Sequence, residues 1–328
     1  MADSRVPTVA DVHAAGARLQ GIAVRTPLLH APALDDALGA TCVIKPEMLQ
    51  RTGSFKFRGA YNKISQLPDT AKAGGVVAFS SGNHAQGVAC AARALGVPAT
   101  IVMPGDAPDM KIANTRAHGA EVQLYDRFFE QREAIADRLV AERGATLIKP
   151  YDDPDIIAGQ GTCGLEMAEQ ARELGLELDI VLICCGGGGL AAGSALAIHE
   201  AWPDAAIHAV EPAGFDDHAR SLATGERVRN AASTGSICDA LLAPTPGELT
   251  FAINRAHLAG GLAVSDDEVI TAIAYAYRAF KLVVEPGGAV PLAAALAGRV
   301  DLRGRRVGLV LSGGNVDASA FAAYITHA

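Results

Sequence analysis

The chain reads as an α/β protein whose mainly parallel sheets are covered by helices on both faces. Three observations predict this. Short apolar runs such as Val76 to Phe79 and Ile180 to Cys184 are uniformly hydrophobic instead of alternating, as strands buried on both faces require. Helical stretches separate these runs one by one. Half of the 328 residues are hydrophobic, enough for a sizeable core and too many for disorder.

In order, Thr8 with Asp11 forms a capping box for a first helix reaching about Leu19. Arg25-Thr26-Pro27-Leu28 turns into extended chain, and Thr41 to Lys45 is a short strand. Ser54 is placed to N-cap a helix through Ile64, its hydroxyl accepting an orphan amide. Strand Val76 to Phe79 and helix Ala85 to Leu95, closed by Gly96, come next. Strand Thr100 to Met103 leads to a helix from Pro108 to about His118, stopped by Gly119. Glu121 to Tyr125 is a strand, Phe128 to Glu142 a helix, and Thr146 to Ile148 a strand. A helix from about Ile157 to Leu174 precedes strand Ile180 to Cys184, helix Leu190 to Trp202 and strand Ile207 to Val210. Helices at Thr250 to Leu258, Asp266 to Lys281 and Gly288 to Ala297 precede a last strand, Val307 to Leu311. No repeat, low-complexity tract or long linker interrupts the alternation, so any second domain is inserted into the first.

The net charge of −8 and the lack of a basic cluster exclude nucleic acid as partner. The start, Met1-Ala2-Asp3-Ser4-Arg5-Val6-Pro7, has no apolar stretch of the kind a signal peptide needs, so a cytoplasmic location is expected. Ile180 to Ile198 is uncharged and long enough to span a membrane, but Gly186 to Gly189 break it; strand, turn and buried helix explain it, with no membrane partner. The six cysteines show no metal-ligand spacing and read as buried thiols in a reducing compartment.

In sheets of this kind ligands sit beyond the carboxyl ends of the strands. Three strands here end in polar or glycine turns: Ser80-Ser81-Gly82-Asn83-His84, Gly186 to Gly189, and Ser312-Gly313-Gly314-Asn315. Each of the first two opens a helix. The four-glycine turn lets backbone amides close around a phosphate, and the following helix adds its dipole. It lacks the Lys-Ser/Thr of a P-loop, and it does not meet G-x-G-x-x-G, with Glu211 only a loose substitute for a ribose-binding acid. Ser80 to His84 offers hydroxyls and amides suited to a carboxylate, although an ordinary helix cap at Asn83 would use the same residues. His84 reads as a structural hydrogen-bonder without a chemical role. Lys56, between Phe55 and Phe57, falls in the first turn of its helix, where the dipole favours the neutral amine that condenses with carbonyls.

Thr52-Gly53-Ser54-Phe55-Lys56, Ser80 to Gly87, Ala158-Gly159-Gln160-Gly161-Thr162, Gly186 to Gly189 and Ser312 to Asn315 together resemble the threonine dehydratase and serine racemase family. These are pyridoxal-phosphate enzymes of the tryptophan-synthase-β fold, fold type II. The motifs stand in family order across nearly the whole chain. Cysteine synthases share the lysine and the glycine turn but carry Thr-Ser-Gly-Asn-Thr where this chain has Ser-Ser-Gly-Asn-His.

The resemblance implies two open, mainly parallel twisted sheets flanked by helices. The smaller domain, residues 75–152, is inserted in a larger cofactor-binding one, 1–74 and 153–328. It implies that Lys56 carries pyridoxal 5'-phosphate as a Schiff base and, once freed, removes the substrate α-proton. Gly186, Gly187, Gly188 and Gly189 cradle the phosphate, Asn83 meets the ring hydroxyl, Phe55 packs on the ring and Ser312 faces the pyridine nitrogen. Ser80, Ser81, Gly82, Asn83 and His84 bind the substrate carboxylate. A serine at the ring nitrogen favours β-elimination over long-lived carbanion chemistry.

Ser81 matches the second acid/base of serine racemase, and a hydroxyl that only holds the carboxylate is the competing role. Tyr151 looks more like the bacterial dehydratases than the animal racemases. Glu211 to Asp217 resembles the family's divalent-cation loop, with Glu211, the Phe215 carbonyl and Asp217 as hard oxygen ligands for Mg²⁺, Mn²⁺ or Ca²⁺; Asp216 or Asp217 as a plain helix cap is the alternative.

The implied activity is dehydration and deamination of a β-hydroxy-α-amino acid, L-threonine or L-serine first, to a 2-oxo acid and ammonia. The alternatives are 3-hydroxyaspartate or phenylserine as substrate, and serine racemase. Arg132, beside Glu133, suits a second substrate carboxylate, or both belong to a solvated helix face. From other classes, a nicotinamide-dependent oxidoreductase and a non-catalytic ligand-binding protein compete. The chain ends soon after Asn315, so no C-terminal regulatory domain is expected, and the family implies a homodimer.

Overall fold

The computed structural model describes residues 5–107 and 109–326, with the side chain of Met110 undescribed. The expected absence of a leader at Met1 to Ser4, and Pro108 as a helix-opening residue, lie outside the described residues. Two sheets form. The larger runs in the order β1 (Leu29–His30), β2 (Thr41–Pro46), β10 (Arg306–Leu311), β7 (Ile180–Cys184), β8 (Ala206–Pro212), β9 (Gly260–Val264). All its pairings are parallel except β1 with β2. The smaller, wholly parallel sheet runs β5 (Glu121–Tyr125), β4 (Ala99–Pro104), β3 (Val76–Phe79), β6 (Thr146–Leu147). Every residue of β7 is buried, which explains its unbroken hydrophobic run.

The glycine-rich segment Ala158 to Thr162 works as a packing seam. A Cβ on Gly159 would stand 2.6 Å from Gly59 Cα, and one on Gly161 would stand 2.6 Å from the Gly193 carbonyl oxygen. Helices Lys56–Ser65, Pro154–Glu173 and Gly189–Ala201 therefore meet backbone to backbone. Arg58, fully buried, fixes the first of these against the second: its guanidinium donates to both oxygens of Glu47 and to Glu166 at 2.7–2.9 Å. On its other side Phe57, Ala60 and Ile64 share an apolar cluster with Val76, Ala78 and Ile101 of the smaller sheet. The Lys56 helix is thus wedged between the two sheets.

Several expectations change. Ser54 does not cap the Lys56 helix: it is extended, bridges Gly313 as a strand residue, and its buried hydroxyl has no partner. The expected helix from Phe128 starts only at Arg132, after a turn that leaves Phe128 and Phe129 exposed. The helix from Asp266 is α-helical only to Tyr275 and closes in a π-turn, Ala276–Phe280. Edge strand β9 escapes sequence reasoning because it opens on Gly260-Gly261 and is only half buried. Among the described residues no helix is long and apolar enough to cross a membrane. All six cysteines are free, five of them buried and Cys90 partly so.

Candidate active site

The carboxyl ends of β3, β7 and β10 open onto one cavity of about 750 Å³, and Lys56, Ser81, Gly187 and Ser312 all line it. Lys56 is brought there by backbone bonds to the last turn. Phe55 N–H donates to the Ser312 carbonyl, Gly314 N–H to the Gly53 carbonyl, and Asn315 Nδ2 to the Thr52 carbonyl. Gly53 has φ +69°, and a Cβ there would stand 2.6 Å from Asn315 Oδ1, so both conformation and contact demand glycine. Lys56 Nζ donates to the Pro150 carbonyl at 2.8 Å and lies 5.1 Å from the Phe55 ring centroid. Enclosure pulls its pKa down to about 8, against the opposing charges of Cys184 and Glu285.

Gly186 to Gly189 join β7 to helix Gly189–Ala201, with Gly188 as the left-handed N-cap at φ +92°. A Cβ on Gly187 would fall 2.2 Å from the Tyr151 ring, so that ring lies flat on the turn. The turn is a bare-amide cradle beside an enclosed amine, and this donor set fits a phosphate-bearing aldehyde.

Gly82 occupies the N-cap position of helix Asn83–Ala94, and Asn83 is its first residue. Asn83 does not cap the helix with its side chain: Nδ2 donates one hydrogen to Glu285 Oε1 at 2.6 Å and Oδ1 accepts from Asn315 Nδ2 at 2.7 Å. Ser80 and Ser81 face the cavity, with Ser80 Oγ accepting from Gly82 N–H. His84 is buried; its Nε2 bonds the Ile148 carbonyl at 2.9 Å, and burial pushes its pKa down to about 3. Its side chain is a neutral structural group.

Arg132 and Glu133 also line the cavity. The Arg132 guanidinium lies 5.2 Å from the centre of the Phe79 ring, one residue before Ser80, and bonds Glu133 at 2.8 Å. Lys111 and Asp239 form a 3.0 Å ion pair within the same cavity lining, linking helix Asp109–Ala117 to the turn Asp239–Leu241.

Glu211 and Asp217 lie apart from this cavity lining, both fully buried. Glu211, not Asp216 or Asp217, caps helix Asp217–Thr224: its oxygens accept from the amides of His218 and Ala219 at 3.0 and 2.8 Å. Asp217 Oδ1 accepts from Asn230 Nδ2, and Oδ2 has no hydrogen-bond partner, with His218 Nδ1 3.9 Å away. Burial and the neighbouring Asp217 push Glu211 well up; burial pushes Asp217 up to about 6. Among the described residues, Cys185, Glu211 and His218 bring potential metal-ligand atoms within 4.8 Å of one another. Phe215 is buried in the same loop.

Sequence reasoning missed Glu285, Cys184, Thr250 and Asn254. Thr250 and Asn254 stand four apart on one helix and both reach the carbonyls behind the glycine turn. That spacing is the available signal. Nothing local marks Glu285, which precedes Pro286 at a helix start like many acids.

Residues 19–313 match the family model described as "Pyridoxal-phosphate dependent enzyme". The chain is 45% identical over 322 residues to the L-threo-3-hydroxyaspartate ammonia-lyase of Saccharomyces cerevisiae, covering 98% of this chain and 97% of that one. Among solved structures, a threonine deaminase from T.th. superposes with a TM-score of 0.89 at 45% identity, covering 95% of this chain and 99% of that one. Maize serine racemase superposes at 0.91 with 36% identity, covering 98% of each. With Lys56, the Gly186–Gly189 turn and the Ser80–His84 turn gathered in one cavity, and relatives matched over nearly their whole length, the chain belongs to the pyridoxal-phosphate-dependent enzymes.

Proposed function

We propose that this enzyme is an ammonia-lyase that eliminates water and ammonia from a β-hydroxy-α-amino acid, with L-threo-3-hydroxyaspartate preferred over L-serine and L-threonine. Lys56, an enclosed amine facing the glycine turn, carries the reading. The amides of Gly186 to Gly189 hold the cofactor phosphate, Asn83 its ring hydroxyl, Ser312 its pyridine nitrogen and Phe55 its ring face. When bound, the cofactor supplies an electron sink next to the substrate α-carbon. The amides and hydroxyls of Ser80 to Asn83 hold the α-carboxylate, with His84 bound through Nε2 to the Ile148 carbonyl. The Lys56 amine takes the α-proton, a role supported by its lowered pKa. Ser81 holds the carboxylate and stands as the candidate second acid/base for racemisation.

The substrate preference rests on Arg132. Its guanidinium, held over Phe79 beside the Ser80–Ser81 turn, supports a second carboxylate on the substrate. Glu211, Asp217 and the Phe215 carbonyl take a divalent cation, supported by two buried acids and the unpartnered Asp217 oxygen. The smaller sheet forms an inserted domain over residues 75–152, the active form is a homodimer, and the enzyme works in the cytoplasm.

A panel of β-hydroxy amino acids, assayed for ammonia and oxo acid with chiral analysis of residual substrate, tests the reading. Arg132→Leu should raise KM for hydroxyaspartate roughly tenfold to a hundredfold, leaving KM for serine and threonine near wild type. An equal effect on all three removes Arg132 as a specificity residue and leaves the threonine/serine reading. No ammonia from any member overturns the activity.

A further inference from the structure

The glycine turn has a structured back face that none of the roles above uses. Thr250 and Asn254 project from helix Glu248–His257 one turn apart, and both are fully buried. Thr250 Oγ donates to the Gly187 carbonyl at 2.7 Å. Asn254 Nδ2 reaches the Gly188 carbonyl at 3.4 Å, as a second donor beside the Ala192 amide at 2.9 Å, and His218 Nε2 at 3.0 Å, using both its hydrogens. His218 Nε2 is then an acceptor, which leaves the imidazole proton on Nδ1, 3.9 Å from both Glu211 and Asp217 oxygens. A Cβ on Gly188 would fall 2.6 Å from His218 Nε2 and 2.8 Å from Asn254 Nδ2, so the turn lies directly on these groups.

Peptide planarity carries these contacts through to the front face. In a planar trans peptide the C=O of one residue and the N–H of the next point in opposite directions. Holding the Gly187 carbonyl from behind therefore directs Gly188 N–H forward, and holding the Gly188 carbonyl directs Gly189 N–H forward. The helix that starts at Gly189 offers its first amides no intrahelical acceptor. We propose that Thr250 and Asn254 are positioning residues that aim the Gly188 and Gly189 amides at the cofactor phosphate, with His218 fixing the orientation of the Asn254 amide. This rests on the reading of Gly186 to Gly189 as the phosphate seat.

The test compares the affinity of the apoenzyme for pyridoxal phosphate and for pyridoxal, which has the same aldehyde and no phosphate. Thr250→Val is nearly isosteric, and Asn254→Leu removes the second donor. Each should weaken pyridoxal phosphate about five- to tenfold, the worth of one neutral hydrogen bond, and leave pyridoxal unchanged. Equal weakening of both aldehydes, or of neither, overturns the aiming role and leaves the phosphate seat intact. A wild-type enzyme that does not discriminate between the two overturns the seat and the proposal together. If Asn254→Leu does not fold, Thr250→Val decides alone.

Discussion

Asn83 Nδ2 donates to Glu285 Oε1 at 2.6 Å, joining two residues of the cavity lining that stand 202 positions apart. A carboxyl buried this deeply keeps its proton. Burial raises the Glu285 pKa to about 8, while the bond from Asn83 and the charges of Lys111 and Lys56 pull the other way and Asp239 adds to the rise.

The sign of the resulting pH dependence follows from proton counting. In the unfolded chain a glutamate titrates near 4.3. Between that pH and about 8 the folded protein keeps a proton that the unfolded chain has released, so stability falls as pH rises through this window. Below it both states are protonated, the slope is zero and the stability contribution is fully present. Glu285→Gln retains the oxygen facing Asn83 and cannot titrate. Thermal melts of the apoenzyme between pH 5 and pH 8 should lose fewer degrees in the variant than in wild type. Parallel slopes would mean that Glu285 ionises normally.

Lys56 makes a second pH prediction of opposite sign. Its folded pKa of about 8 lies below that of a free lysine, so between about 8 and 10.4 the unfolded chain holds the extra proton and stability rises with pH. The same shift sets reactivity, because only the neutral amine attacks an aldehyde. The rate of adduct formation between apoenzyme and pyridoxal phosphate should climb through a midpoint near pH 8 and then level. A climb continuing to pH 10 would show an ordinary solvated lysine. Lys56→Ala should give no reducible adduct and lower kcat roughly 10²- to 10⁴-fold, the worth of a positioned proton-transfer group.

What is legible in the sequence is what is local. Lys56, Ser80 to His84, Gly186 to Gly189 and Ser312 each sit in a contiguous motif at a strand end or helix start, and parallel α/β topology brings such ends to one side. The strands between them are recognisable because β7 and its neighbours are buried on both faces. Contacts closed only by the fold stay hidden. Ser54 has the residue type of a cap, yet the extended pairing of Ser54 with Gly313 removes its hydroxyl from the helix axis. Asn83 meets Glu285 through a packing of distant segments that no spacing encodes. Glu211 acts as a cap from seven residues away because the turn at Pro212 to Asp216 folds its strand end back over the helix start.

That fold-back also makes the acidic loop a cation test. Burial raises the cost of ionising both Glu211 and Asp217, and the Asp217 charge adds to it at Glu211. A divalent ion held by the two carboxylates and the Phe215 carbonyl would offset that cost, and by mass action it would stabilise only the folded state. At about a hundred times its dissociation constant, Mg²⁺ or Mn²⁺ should add ~2.7 kcal/mol, read as a rise in melting temperature that chelator reverses. Asp217→Asn keeps an oxygen for Asn230 but removes one charge from the pair, so the ion-dependent rise should largely disappear while the ion-free melting temperature holds or increases. If wild type melts identically with ion and with chelator, Glu211 is a helix cap alone, and the loop's acidity serves the packing of helix Asp217–Thr224.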